Sequence, residues 1–398
     1  LGVGTVVLSG TFWIFNFLGI GTQTEVARAS GKGDTRHTRQ ISGLALLLGA
    51  VFGILLIAVV WPLAGPISRL MGGEGPVLEM AEIYIRIRIL AAPAVLVSVA
   101  AFGSLRGDQD MRTPLYIAVG VNVLNLLLDP ILIFGWGPVP ALGIAGAALA
   151  SSSSQVGGAV WGMAVVLRRS GMPRRLRLAD VLALLRVGGD LFVRTGALTL
   201  FLIVATREAT RAGAVAGAAH QAIRQVWTFT ALFLDAFAVT GQSLVGFFLG
   251  ARDHPEARRV AGVVCLWSLG TGVFLGGAML LGTDLTIRIL VPPAAVAVFR
   301  PAWTVAAFSQ PLNALTFGTD GIHWGAGDFR YLRNAVVVAT VSAGVPILLL
   351  DEGQPGALTS IWWLTVLWVS IRALFGLGRI WPGWGRAPLR PLTKARRR

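Results

Sequence analysis

The sequence predicts an all-α polytopic membrane protein made of two parallel-repeat helical lobes. Composition, long apolar runs and an internal repeat carry that prediction. Of 398 residues, 55% are apolar and only 13% are charged, with a mean hydropathy of +0.71. Soluble domains carry roughly 25% charged residues. A chain this apolar cannot hide its surface from water alone, so part of its solvent is lipid.

A helix needs about 20 apolar residues to cross the hydrocarbon core. Eleven segments qualify, near 2–27, 41–66, 83–105, 114–135, 142–167, 187–207, 217–249, 260–282, 296–323, 334–350 and 358–378. Their polar breaks differ sharply in charge. The first break holds Arg28, Lys32, Arg36 and Arg39, and the fifth holds Arg168, Arg169, Arg174, Arg175, Arg177 and Arg186. The tail adds Arg386, Arg390, Lys394 and Arg396 to Arg398. The even breaks carry few basic residues and include Glu74, Glu79, Glu82, Asp351 and Glu352. Basic residues mark cytoplasmic breaks, so the odd breaks and the C-terminus are expected in the cytoplasm of a plasma (inner) membrane.

The first and seventh breaks match at an offset of 219, through Gln23/Gln242, Val26/Val245, Gly31/Gly250, Asp34/Asp253 and Arg39/Arg258. The third and ninth match at 218, through Gly107/Gly325, Asp110/Asp328 and Arg112/Arg330. Turns favour Gly and Asp in any case, but two matches at nearly one offset point to a duplication. The expected organisation is an N-terminal lobe over 1–167, a cytoplasmic linker over 168–186, and a C-terminal lobe with a basic tail over 187–398. Counted back from the match, the first lobe shows five helices and the second six. Because Leu1 already lies in an apolar run, a first helix is expected upstream, twelve in all.

Several function classes are disfavoured. The net charge of +15 sits in breaks between apolar runs, which is membrane topology rather than a nucleic-acid face. The single Cys265 gives no disulfide or zinc framework, and His37, His220, His254 and His323 lack ligand spacing. No phosphate-cradling Gly-x-x-x-x-Gly-Lys-[Ser/Thr] occurs, and no signal-peptide pattern opens the chain. An enzyme is not expected, nor a cofactor or metal. The expected partners are lipid and a small organic substrate, with the protein a monomer.

The motifs Ala29–Asp34, Leu105–Pro114, Asn125 with Leu128-Asp-Pro130, Gly143–Ala150, Ala218–Gln221, Gln242–Gly246 with Gly250–Asp253, and Asp320–Asp328 occur in order along the chain. On these the chain resembles the MATE (multidrug and toxic compound extrusion) family, most closely its DinF-like branch. The resemblance implies two six-helix lobes and export of cationic or amphipathic organic compounds. It implies drive by inward protons, or sodium ions, with a carboxylate on the first helix central to coupling. That helix is not in this sequence. Two rival readings remain: a lipid-linked precursor flippase of related two-lobed build, and a non-transporting remnant.

Ionisable groups inside membrane helices are costly and therefore functional candidates. Asp235 lies mid-run and either binds a cation or proton, or makes a fixed hydrogen bond. Asp320 offers the same chemistry, or a cap beside Gly321. Asp190 and Arg194, one turn apart, suit a structural ion pair. Glu208, between Arg207 and Arg211, is expected in a solvated turn or a cation-attracting vestibule. Asn122 and Asn125 share a helix face and either join helices or line a path. Asp129-Pro130 is expected to end that helix. Gln242, in both the repeat and the family motif, completes the candidates. The 13 Trp residues mostly suit interfacial anchoring.

Overall fold

A computed structural model describes residues 2–72, 74–171, 177–351 and 353–390. The chain divides into two compact units, Leu1–Gly188 and Gly189–Arg398. The first unit contains α1 (Gly2–Ile14), α2 (Asn16–Gly31), α3 (Thr35–Leu70), α4 (Gly75–Ile89), α5 (Ala92–Gly107), α6 (Arg112–Phe134) and α7 (Gly143–Ser170). Helix α8 (Leu178–Arg211) crosses the boundary. The second unit continues with α9 (Ala214–Gly250), α10 (His254–Leu281), α11 (Thr283–Leu290), α12 (Val296–Phe308), α13 (Gln310–Gly325), α14 (Phe329–Leu348) and α15 (Ala357–Ile380).

All eleven expected segments are helical, but the first, third and ninth are each two helices. Breaks fall at Phe15, at Leu90–Ala91 and at Ser309, and α4 and α5 meet at 50°. Proline explains two of them. Pro93 and Pro311 lack an N–H and sit in the first turn of the following helix, where the missing donor costs little. Pro130 does not end α6, which runs on to Phe134, so the expected stop at Asp129-Pro130 is corrected. That helix buries only Pro114 and Ile117 along its length. Among the described residues eight spans, one of them Gly4–Gly31 across α1 and α2, are long and apolar enough to cross a membrane, nine if α4 and α5 count as one bent span. Residues 168–186, expected as a linker, are the end of α7 and the first turns of α8. The middle of that stretch, 172–176, lies outside the described residues, as do Glu352 and the basic tail from 391.

The outer helix faces explain the hydropathy. Leu126, Leu232, Leu266 and Phe274 are each about 70% exposed. So much exposed apolar surface would drive aggregation in water and is at home against acyl chains.

Both units use the same local devices. Asp34 caps α3 by accepting from the His37 amide at 2.9 Å, and Asp253 caps α10 by accepting from the Glu256 amide at 3.0 Å. The preceding residues, Gly33 and Arg252, both take left-handed backbone, with φ of 69° and 62°. Gln109 and Gly327 share a φ of 64°. A methyl on Gly103 would lie 2.5 Å from the Gly19 carbonyl oxygen, and one on Gly321 would fall on the Ala238 carbonyl. These are repeat-related positions, so α2–α5 and α9–α13 approach through the same glycine-against-carbonyl contact. Duplicated sequence has become duplicated geometry.

A latch closes one end of the first unit. Asp110 accepts from Thr113 through its amide and hydroxyl, and pairs with Arg169 at the end of α7 at 2.6 Å. Burial works against the charge on Asp110, but Thr113 and Arg169 outweigh it and hold the carboxyl below its ordinary 3.8. A lowered value in the folded state means the ionised group stabilises the fold above about pH 4. That contribution disappears as pH falls through the depressed value. Asp110→Asn should therefore unfold at lower temperature than the parent at pH 7, and the gap should close on acidification below 3.8. Thermal unfolding in detergent at both pH values measures it; a gap independent of pH would contradict the ionic account.

Candidate functional site

The second unit holds a buried ion cluster built by three helices. Asp320 on α13 accepts from Arg194 on α8 and, at 2.8 Å, from Arg372 on α15, both at Oδ2. All three side chains are less than 10% exposed. Aromatic faces complete the surround. The Arg194 guanidinium lies 5.1 Å from the Trp324 ring and that of Arg372 4.5 Å from Trp368. Trp368 stacks on Phe201 and donates its Nε1–H to the Thr340 hydroxyl.

Two guanidiniums against one carboxylate leave a formal excess of one positive charge. Burying charges costs several kcal/mol per ion, and the ring faces return about 2 kcal/mol when desolvated. The Nε of both arginines has no hydrogen-bond partner, so the cluster is incompletely satisfied. A core built for stability alone would favour apolar residues here; intramembrane charge held at such cost points to function.

Toward the end of α13 a second set follows. Asp328 accepts from Arg379 Nε at 2.7 Å and Nη2 at 3.2 Å. Arg379 lies 4.5 Å over the Tyr331 ring, and the Tyr331 hydroxyl donates to the Phe375 carbonyl. His323 is buried between the two sets.

The expected candidates divide. Asp320 and Arg194 meet in the cluster. Asp320 sits inside α13 rather than capping it, and Arg194 does not pair with Asp190. Asp190 instead meets Arg333 of α14 at 2.6 Å, with Arg330 at 4.0 Å. The i,i+4 contact loses because Arg194 gains a buried carboxylate and a ring face, where charge attraction is stronger than at a helix surface. Glu208 is not in a solvated turn: its side chain is 3% exposed, bracketed by Arg207 and Arg211 at 3.4 Å each. Asp235 lies on the exposed side of α9, on a stripe with Gln221, Gln225 and Thr228. Gln242 is buried, and its carbonyl meets Gly325 closely.

In the first unit, Asn125 lies 3.4 Å from both Asp129 and Ser151, joining α6 to α7. Asn122 only donates to the Ala118 carbonyl of its own helix, on an exposed face. Trp303, Trp368 and Trp362 are core residues, not interfacial anchors. Trp368 is the partner that sequence reasoning did not place at a site. Arg372 is legible, with Arg194 and Arg224, as a basic residue well inside a helix, in Val369-Ser-Ile-Arg372-Ala, but not as a partner of Asp320.

Comparison with known proteins agrees with this architecture. The family model MatE matches residues 1–131 and 195–350. Protein DETOXIFICATION 42 of Arabidopsis thaliana is 31% identical over 359 residues, covering 86% of this chain and 66% of its own length. The chain thus spans just under two thirds of that relative, and 64% of DETOXIFICATION 43. DNA damage-inducible protein F of Escherichia coli is 27% identical, with 96% of this chain and 83% of that protein covered. Among solved structures, a mutant of the Vibrio cholerae MATE transporter VcmN superposes with a TM-score of 0.87 at 19% identity, covering 98% and 89% of the two chains. A MATE protein in a bent conformation gives 0.86 at 19% identity, covering 96% and 87%. A match over more than half the chain, on a duplicated helical fold with an apolar exterior, means that this multi-pass membrane protein belongs to the MatE family.

Proposed function

We propose that this protein is a secondary active antiporter that exports organic compounds of cationic or amphipathic character, driven by a proton or sodium gradient. The observation that carries the reading is the buried Arg194–Asp320–Arg372 cluster, which ties α8, α13 and α15 together through one carboxylate. A proton on Asp320, or a cation bound there, cancels its charge and frees two guanidiniums. The three helices then lose their common anchor and favour another packing. An ion can drive transport only if it binds one state better than the other, and such a carboxylate supplies that difference.

The basic breaks support a plasma-membrane protein with a cytoplasmic C-terminus. The excess positive charge of the cluster favours one second reading, movement of a phosphate-bearing lipid precursor.

The test uses the protein expressed from its complete reading frame in lipid vesicles. Efflux of the fluorescent cation ethidium is followed under a proton gradient and, separately, a sodium gradient. The reading predicts that one gradient accelerates efflux and that Asp320→Asn or Asp235→Asn weakens the effect. Ethidium movement indifferent to both gradients, with transbilayer movement of a labelled polyprenyl phosphate, would favour the lipid reading; no movement of either would leave a non-transporting protein.

A further inference from the structure

A lateral groove of about 440 Å³ runs between α9 and α10 in the second unit. Ala236, Thr240 and Leu244 form one wall, spaced four apart on one helix face. Val260, Val263 and Trp267 form the other. The end beside the α9–α10 turn is charged, with Glu256 and Arg259. The groove is thus apolar along its length and ionic at one end.

Its surroundings are hydrocarbon rather than water. Beyond the groove the same face of α9 carries Phe229 and Phe233, 59% and 50% exposed, and α10 carries Phe274 at 71%. The polar stripe of α9, with Gln221, Gln225, Thr228 and Asp235, lies about 100° round the helix. Trp267 sits midway along the 28-residue α10 and is 65% exposed. An interfacial anchor would sit near a helix end; here the indole stands at the inner end of the groove, a flat apolar wall. From Glu256 to Trp267 is about 16 Å along α10. One leaflet's hydrocarbon is about 15 Å deep, half of the roughly 30 Å core. The groove therefore spans a single leaflet, with its charged end at the headgroups.

The charges at that end favour an anion. Arg259 is exposed and meets Glu256 at 3.5 Å, a weak surface pair. Arg252 is exposed in the adjoining turn. Asp253 is committed to capping α10 through the Glu256 amide. Arg258 donates to the carbonyls of Ile380 and Leu389, at 3.3 and 2.7 Å, and Leu389 packs with Ala257 and Ala261. That contact brings the segment with Arg386 and Arg390, both exposed, to the same end of α10.

We propose that this groove is a binding site for one anionic phospholipid. Its acyl chain lies between α9 and α10 down to Trp267, and its phosphate takes Arg259 from Glu256. The lipid comes from the leaflet beside the α9–α10 turn. The site does not depend on the transport reading.

The test is native mass spectrometry of the protein expressed from its complete reading frame, titrated in detergent with phosphatidylglycerol, phosphatidylcholine or glycerol phosphate. One phosphatidylglycerol should bind saturably, roughly tenfold more tightly than phosphatidylcholine because several arginines contribute. Glycerol phosphate, a headgroup without a chain, should not be retained. Arg259→Gln should weaken phosphatidylglycerol binding about fivefold, the effect of one arginine at an anionic surface. Glu256→Gln should strengthen it, and Ala236→Trp, which fills the groove from its exposed side, should abolish it. Phosphatidylglycerol with brominated chains should quench Trp267, read as the quenching lost in Trp267→Phe; this decides the site should Ala236→Trp fail to fold. Unsaturable binding, equal retention of the two lipids, retention of glycerol phosphate as tight as that of lipid, or quenching unchanged in Trp267→Phe would overturn the proposal. So would a dimer that Ala236→Trp dissolves, which would give the groove to a second copy of the chain.

Discussion

Asp320→Asn should be the most damaging single polar substitution in the second unit. It removes the one carboxylate that neutralises Arg194 and Arg372, both buried. Leaving a buried charge uncompensated costs about 3–5 kcal/mol, and here two guanidiniums lose their partner together. Neither has an easy escape, since their Nε atoms already lack partners and their planes rest on Trp324 and Trp368. The expected outcome is a clearly lower unfolding temperature in detergent, partly restored when Arg194→Gln is added. The double variant returns the site to one formal positive charge, so its cost should fall well short of the sum of the two single costs. Strict additivity of the three measured stabilities would show that Asp320 and Arg194 do not depend on one another.

Gly321→Ala should be nearly as damaging for an unrelated reason. In an unconstrained helix, alanine is favoured over glycine by about 1 kcal/mol. At Gly321 the added methyl would fall on the Ala238 carbonyl of α9. Backbone cannot swing aside as a side chain does, so α9 and α13 must separate. Overpacking of this kind costs about 1–3 kcal/mol, and a backbone obstacle puts it at the upper end. Gly270→Ala on α10 is the control, because nothing lies within 4 Å of the methyl it would add. The pair should move thermal stability in opposite directions. Equal effects would mean that propensity, not contact, governs these glycines.

What was legible in the sequence follows from what each signal measures. Apolar run length reports the membrane crossing, and all eleven runs became helix. It is blind to breaks such as Leu90–Ala91 and Ser309, where a bent helix stays as apolar as a straight one. The repeat was legible because the turns that carry it have strict backbone needs. Asp34 and Asp253 cap helices, and Gly33 and Arg252 must take left-handed backbone. The glycines paired by the repeat mark close helix approaches, which sequence showed as matches without revealing what they touched.

The candidate site was half legible. Asp320 and Arg194 were visible as charges inside apolar runs, but their pairing was not. Spacing along one helix suggested Asp190 with Arg194, whereas residues 126 and 143 positions apart in the chain provide the contacts actually made. Only the tertiary arrangement of α8, α13 and α14 decides between such partners. Glu208 shows the same limit: its flanking arginines suggested solvent, yet they fold over a buried carboxylate.

The most direct test of the whole account is ethidium efflux by the Asp320→Asn/Arg194→Gln double variant in vesicles, compared with the parent under the gradient that drives it. The variant keeps the charge balance of the cluster but has no group there to take up a proton or cation. The account predicts a folded protein that still binds ethidium and whose efflux no longer responds to the gradient. Gradient-driven efflux at the parent's rate would contradict it.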